Sequence, residues 1–292
     1  MRLIASPPLE NMTYPELGNW VSAKIAQLQE ITEFPAIEVR AIVSFVLQKP
    51  GEWIIAHPQT VLSEIQVETL EKAIARLIYG EPLAYITGRR SFYGLDLMVD
   101  KRVLVPRPET ELLVELAIDW LQSKPGRTRV ADIGTGSGAI AIALANQIPE
   151  LAITAVDSSS SALEVARANA TLCHLDDRVE FLQNDLLDGV SEKFDLILAN
   201  LPYIPSSTVN ELAVIKHEPR SALDGGPDGI SIIERLIKTS KKNLALNGCI
   251  ILEIQYNQGN RVQNIALNQF PQAEISIYSD LAGLPRVVKI QS

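Results

Sequence analysis

From Arg127 onward, short apolar runs alternate with amphipathic stretches, and this alternation constrains the fold more than any other feature of the chain. Strands are predicted over residues 129–133, 152–156, 179–182, 195–199 and 249–254, and helices near 138–147, 160–172 and 229–246. Strands that are apolar on both faces and separated by helices predict a parallel sheet covered on both sides. Two last runs, 274–278 and 286–290, are joined by only about seven residues, too few for a parallel crossover, so this pair is expected to be antiparallel. The fold class is therefore α/β.

The first part of the chain follows a different rule. Residues 1–88 carry apolar stripes at helical spacing: Trp20, Val21, Ile25 and Leu28; then Ile37, Ala41, Phe45 and Val46; then Leu70, Ile74, Leu77 and Ile78. Pro15, Pro35, Pro50 and Pro58 punctuate them. This predicts a small all-α domain with no catalytic cluster. Residues 89–105 read as a β-hairpin linker, with strands over 92–99 and 103–105 and a turn at Asp100-Lys101-Arg102. Pro106-Arg107-Pro108-Glu109-Thr110-Glu111 then opens a helix to about Gln122, with Thr110 as its cap, and residues 106–292 form the main domain.

Composition narrows the function classes. A net charge of −9 argues against a protein that grips extended nucleic acid by neutralising phosphates. Cys173 and Cys249 have no metal-ligand spacing, so no metal site is expected, and free thiols suit a reducing interior. Residues 1–8 are too short and Pro-broken for a signal h-region, and no apolar run approaches the roughly 18 residues of a membrane span. The expectation is a cytoplasmic enzyme, monomeric, with no membrane contact.

Two stretches carry chemistry. The first strand runs into Asp132-Ile133-Gly134-Thr135-Gly136-Ser137-Gly138, a turn in which backbone lies against a ligand at a helix N-terminus. The next strand ends in Asp157, roughly 20 residues beyond Gly134, where a carboxylate accepts ribose hydroxyls. Alone this also satisfies a permissive dinucleotide fingerprint. Three features favour S-adenosylmethionine instead. Asp132 offers a carboxylate for the methionine ammonium group. Asp185 and Leu186, closing the third strand, offer an acceptor and an apolar face for adenine. Asn200-Leu201-Pro202-Tyr203 leaves the fourth strand into the same crevice. In that tetrapeptide the Asn200 side-chain oxygen and the Leu201 carbonyl accept from one planar NH2 group. Pro202 stiffens the turn, and Tyr203 is expected to pack on the flat group.

Together these residues resemble the class I S-adenosylmethionine-dependent methyltransferases, and more narrowly the HemK/PrmC family. Upstream, Glu81-Pro82, Tyr85-Ile86, Gly88 and Phe92-Tyr93-Gly94, followed by Val105-Pro106-Arg107-Pro108-Glu109-Thr110-Glu111, resemble that family's junction between helical and catalytic domains. The likeness covers nearly the whole chain. It implies a Rossmann-like seven-stranded sheet behind a helical substrate-recognition domain. It also implies methyl transfer to N5 of the Gly-Gly-Gln glutamine of class I peptide chain release factors, with no direct nucleic-acid binding. Arg107 and Glu109 either bind that protein substrate or pin the junction, and the loop from Glu218 to Gly226 resembles one that the family places near its active site.

One letter departs. The family carries Asn-Pro-Pro-Tyr, and this chain has Leu201 in the second place. Asn-Leu-Pro-Tyr also occurs in rRNA adenine-N6 dimethylases, which makes RNA adenine-N6 methylation the alternative. Those enzymes carry a different glycine motif, a C-terminal helical extension and a basic surface. His57, His174 and His217 are scattered and read as surface or loop residues, and Gly225, Gly226 and Gly229 as turn glycines.

Overall fold

A computed structural model describes residues 14–292, so the signal-sequence reading of residues 1–8 lies outside the described residues. The chain divides into two compact units, one ending at Thr87 and one spanning Gly88–Ser292.

The first unit is helical: α1 (Leu17–Leu28), α2 (Pro35–Leu47), α3 (Gly51–Ala56), α4 (Glu64–Ile78) and α5 (Leu83–Thr87). Ser63 caps α4 in a reciprocal capping box with Gln66. The core gathers Leu17, Trp20, Leu28, Ile42, Leu70 and Ile74, among others. In α2 the buried stripe is Val39, Ile42 and Val43, whereas Ile37 and Phe45 face solvent. The predicted stripe was thus rotated on the helix, because α2 is apolar almost all round and its pattern does not choose a face.

The second unit opens with an antiparallel pair, β1 (Arg89–Phe92) and β2 (Leu95–Met98). Its turn is Tyr93-Gly94, both at positive φ as a two-residue hairpin requires. The predicted turn at Asp100-Lys101-Arg102 is instead a loop in which Asp100 accepts from the Arg102 backbone and guanidinium, and residues 103–105 form no strand.

The remaining elements are α6 (Glu111–Gln122), β3 (Arg129–Ile133), α7 (Ala139–Gln147), β4 (Ala152–Asp157), α8 (Ser160–Leu172), β5 (Val179–Gln183), β6 (Phe194–Ala199), α9 (Ser206–Val209), α10 (Ser231–Ser240), β7 (Leu244–Glu253), α11 (Gly259–Gln269), β8 (Glu274–Ser279) and β9 (Pro285–Gln291). The seven-stranded sheet has the order β5-β4-β3-β6-β7-β9-β8. β3 to β7 run parallel, and β9 pairs antiparallel with both β7 and β8. Alternate strand residues serve opposite faces: Val130, Leu196 and Leu198 pack with α6 and α7, while Ala131, Ile197 and Ala199 pack with α10 and α11. The predicted helix 229–246 is shorter than expected. It stops at Ser240 because Asn243 donates to the Val190 and Glu192 carbonyls and turns the chain directly into β7.

β3 lies between β4 and β6, so the strand order reverses beside it. A crevice opens outside the carboxyl ends of strands at such a reversal. Ile133 is in register with Ala199, which sets the glycine turn after β3 beside the Asn200 turn after β6.

Candidate active site

A cavity of about 190 Å3 fills that crevice, lined by the glycine turn, the end of β4, the Asn200 turn and the segment before α6. The close approach of its two turns depends on a missing side chain. Gly134 sits at φ +75°, and a Cβ there would come within 2.9 Å of Leu201 Cδ2. Leu201 is buried, so its side chain, as well as its carbonyl, shapes the wall.

Several backbone donors of the glycine turn are committed inside the protein. Gly134 and Thr135 N–H both donate to the Val156 carbonyl, and Gly136 N–H donates to Asp157 Oδ2. A pyrophosphate site needs donors facing the ligand, and these three are not free for that role. Asp157 Oδ1 accepts from Ser159 N–H, and burial raises its carboxyl against the pull of those backbone donors.

Asp132 lies beneath the turn, fully buried and behind the lining residues. Its Oδ2 accepts from Thr135 Oγ1 at 2.7 Å and from Ala141 N–H at 3.3 Å, while its Oδ1 is buried with no hydrogen-bond partner. Burial pushes this carboxyl up to about 7. Asp132 thus keeps one buried, unpaired carboxyl oxygen one layer behind the cavity wall. Asp185 and Leu186 line the far end, where Asp185 pairs with Arg235 at 2.8 Å and Leu186 is held at φ +52°.

The Asn200 turn is anchored from behind. Asn200 Nδ2 donates to Thr110 Oγ1 at 3.0 Å, Thr110 Oγ1 donates to Glu253 Oε2 at 2.6 Å, and the Tyr203 hydroxyl donates to Glu253 Oε1 at 3.2 Å. Gln258 Nε2 holds the Tyr203 carbonyl at 2.8 Å. Gly225 and Gly229 back onto the same turn, so close that a Cβ on Gly225 would lie 2.7 Å from the Pro202 carbonyl oxygen. Burial pushes Glu253 up to about 7 and raises the Tyr203 hydroxyl further, with the Glu253 charge adding to the latter.

The structure thus brings Asn200, Leu201, Pro202, Gly134, Thr135, Gly136, Ser137, Asp157, Asp185, Leu186 and Arg107 to one cavity. Gly138 closes the turn by donating to the Thr135 carbonyl. Tyr203 stands one layer back: its ring packs with the core beneath α10 rather than lining the cavity. Arg107 lines the cavity while its Nη2 grips both oxygens of buried Glu218, at 2.6 and 2.8 Å. Glu109 is exposed and off the wall. Pro219, Ser221 and Ala222 add a further side.

The sequence reading missed Thr110 as a site residue and missed Glu253 and Gln258 altogether. Thr110 makes no cap bond, because its hydroxyl is taken by Glu253 and Asn200. The signal for Glu253 was present: a lone acid closing the apolar run Cys249-Ile250-Ile251-Leu252 is costly to bury and so marks a purpose.

Residues 110–218 match the family model described as Methyltransferase small domain, and residues 19–88 match the one described as PrmC N-terminal domain. The Release factor glutamine methyltransferase of Coxiella burnetii is 36% identical over 263 residues, covering 90% of this chain and 94% of that one. The Bifunctional methyltransferase of Rickettsia felis is 34% identical over 281 residues, and the match spans 86% of this chain but only 53% of that protein's length. The hMettl16 catalytic domain, solved in complex with MAT2A 3'UTR hairpin 6, shares the fold at TM-score 0.52 and 13% identity, over 80% of this chain and 84% of that one.

Proposed function

This chain belongs to the release factor glutamine methyltransferase family, and on that premise we propose how its site works. It transfers a methyl group from S-adenosylmethionine to the side-chain amide N5 of the Gly-Gly-Gln glutamine in a class I peptide chain release factor. The observation that carries this reading is the Asn200 side chain: its Nδ2 is committed to Thr110, so its Oδ1 is left to accept from a ligand in the cavity.

The residues present fit S-adenosylmethionine. The unpaired buried Asp132 oxygen suits its ammonium group, Asp157 its ribose, and Asp185 with Leu186 its adenine. When bound, the cofactor supplies a methyl group already activated on a sulfonium. An amide nitrogen is a poor nucleophile because its lone pair is delocalised, so the chain's work is alignment. Asn200 Oδ1 and the Leu201 carbonyl accept the two amide N–H bonds and favour a pyramidal nitrogen. Holding that geometry accounts for something on the order of several kcal/mol of the barrier. Pro202 stiffens the turn, Tyr203 fixes it to Glu253, and Arg107 with Glu218 fixes the opposite wall. No strong base is required if the proton leaves after transfer.

We assign residues 1–88 to recognition of the release factor, 89–105 to the hairpin linker and 106–292 to methyl transfer. We infer a cytoplasmic setting from a substrate that belongs to translation; among the described residues no helix is long and apolar enough to cross a membrane. The test is competition. With labelled S-adenosylmethionine and both a release factor and ribosomal RNA present, label enters the protein; label in the RNA would overturn the assignment in favour of adenine methylation.

A further inference from the structure

The amide of Asn200 is useful in only one of its two orientations. To accept from a substrate NH2 group it must present Oδ1 to the cavity; rotated by half a turn it presents an NH2 group, and donor faces donor. Oxygen and nitrogen of an Asn amide have nearly the same shape, so packing alone does not choose between the two. The surrounding hydrogen bonds must choose.

We propose that Glu253, acting through Thr110, is a positioning residue that sets the direction of the hydrogen bonds reaching Asn200. An ionised carboxylate only accepts. The Thr110 hydroxyl therefore donates its single proton to Glu253 Oε2, at 2.6 Å. Its oxygen is left to accept, which commits Asn200 Nδ2 to it at 3.0 Å and turns Asn200 Oδ1 to the substrate. The second Glu253 oxygen accepts from Tyr203, so one buried carboxylate fixes two residues of the turn, although it lies off the cavity wall. The inference rests on the methyl-transfer reading given above.

The direction of the chain of bonds reverses if Glu253 carries a proton. A protonated carboxyl donates to Thr110, Thr110 donates to Asn200 Oδ1, and Asn200 offers the wrong group to the cavity. The groups that act on this carboxyl are Arg286 from β9, Glu109 and Thr110 from the segment before α6, and Tyr203 from the turn after β6. Asp280 in turn holds Arg286 at 3.0 Å. Burial outweighs the favourable contacts and pushes Glu253 up to about 7, so the reversal falls within an accessible pH range.

The experiment measures single-turnover methyl transfer to a release factor, cofactor affinity and pH profile for wild type, Thr110→Val, Thr110→Ser and Glu253→Gln. Valine keeps the shape of threonine and removes the hydroxyl, so transfer at saturating substrates falls roughly 10–100-fold, as for other residues that orient a site from behind. Cofactor affinity stays near wild type, the melting temperature falls because Glu253 Oε2 and Asn200 Nδ2 lose their partner, and Thr110→Ser restores both rate and stability. In wild type the rate climbs as pH rises through about 7, with Glu253 ionising. Glu253→Gln is slower and loses that climb, because a glutamine donates or accepts and no longer enforces one direction. The Asn200 side-chain amide resonances, followed by NMR without substrate, titrate in wild type and not in Glu253→Gln.

Thr110→Val at the wild-type rate, or a Glu253→Gln pH profile that keeps its climb, would overturn the inference while leaving methyl transfer intact. Should Thr110→Val not fold, the Glu253→Gln profile and the NMR titration decide the matter alone. If wild type itself fails to methylate the release factor, it is the functional reading that fails.

Discussion

In the helical unit ending at Thr87, the fully buried residues among those described are apolar or aromatic, from Leu17 and Trp20 to Leu77 and Ile86, and of the half-buried Glu38 one carboxyl oxygen is buried unpaired. The unit from Gly88 onward buries Asp132, Glu218 and Glu253, together with Thr110, Thr135, Ser137 and Gln258, around one crevice, and buries Asp195, Asn169, Ser240 and Asn243 elsewhere. A dry core serves stability alone. A buried polar group without a full set of partners costs on the order of 2–7 kcal/mol in an apolar medium, so it persists where it does something else. The contrast teaches where to look: three of the four buried acids cluster at the strand C-termini, whereas Asp195 at the start of β6 is neutralised by Arg127 and the Thr128 and Arg129 N–H groups. Both units expose large apolar side chains, among them Phe34, Ile37, Ile55 and Ile65 in the helical unit and Leu246, Tyr256 and Leu281 in the other.

The comparison breaks most sharply at Asn200. Asn200→Ala removes the acceptor and should reduce single-turnover methyl transfer by about 10^3-fold, comparable to the loss of a preorganised charge-stabilising group. Cofactor affinity, measured by calorimetry, should hardly change; a variant that still turns over at near wild-type rate ends the assignment. The opposite pattern is expected in the dry core. Leu70→Ala opens a cavity in the helical unit and should cost about 2–5 kcal/mol of that unit's stability in denaturant unfolding, with cofactor affinity untouched. If Leu70→Ala weakens cofactor binding as much as it destabilises, the division of labour is wrong.

The buried acids give a pH signature of their own. Burial pushes Asp132 and Glu253 up to about 7, well above their ordinary carboxyl values of 3.8 and 4.5. As pH rises, the unfolded chain therefore releases these protons first, and the folded chain holds more of them. Their contribution to stability is fully present below about pH 4 and is lost as pH climbs toward 7. The melting temperature of the ligand-free protein should fall over that interval, and Asp132→Asn should flatten part of the fall. Cofactor binding should show the converse, tightening by at most about tenfold per pH unit for each acid that must ionise. A melting temperature that rises from pH 5 to 7 in wild type, unchanged in Asp132→Asn, would contradict this. The smallest effect is expected at Leu201→Pro. Its carbonyl survives the exchange and only side-chain packing against Gly134 is altered, so activity should stay within about threefold and stability within about 1 kcal/mol. A large loss of activity would show that the leucine side chain is essential to the wall.

Much of this was legible along the chain. The parallel strands announce themselves as short runs apolar on both faces, and Gly134, Gly136, Asp157 and Asn200 each belong to a local pattern at a strand end. What failed were features decided by distant parts of the chain. The α10 helix ends early because Asn243 reaches the loop before β6, and nothing within residues 229–246 says so. The hairpin turns at Tyr93-Gly94, where a tyrosine takes a positive φ that its side chain disfavours while its N–H is held by Glu111. In α2 two apolar faces compete, and only packing reveals that Val39 and Ile42 win over Ile37 and Phe45. The support behind Asn200 was invisible for the same reason: Thr110 and Glu253 meet across 143 residues of sequence, and a local reading assigns the one to a helix cap and the other to nothing.

The most direct measurement is tandem mass spectrometry of a class I release factor after incubation with this protein and S-adenosylmethionine. One methyl group on the glutamine of Gly-Gly-Gln, absent when that glutamine is replaced and absent with Asn200→Ala, is the result expected. Methylation that persists after the glutamine is replaced would contradict the account.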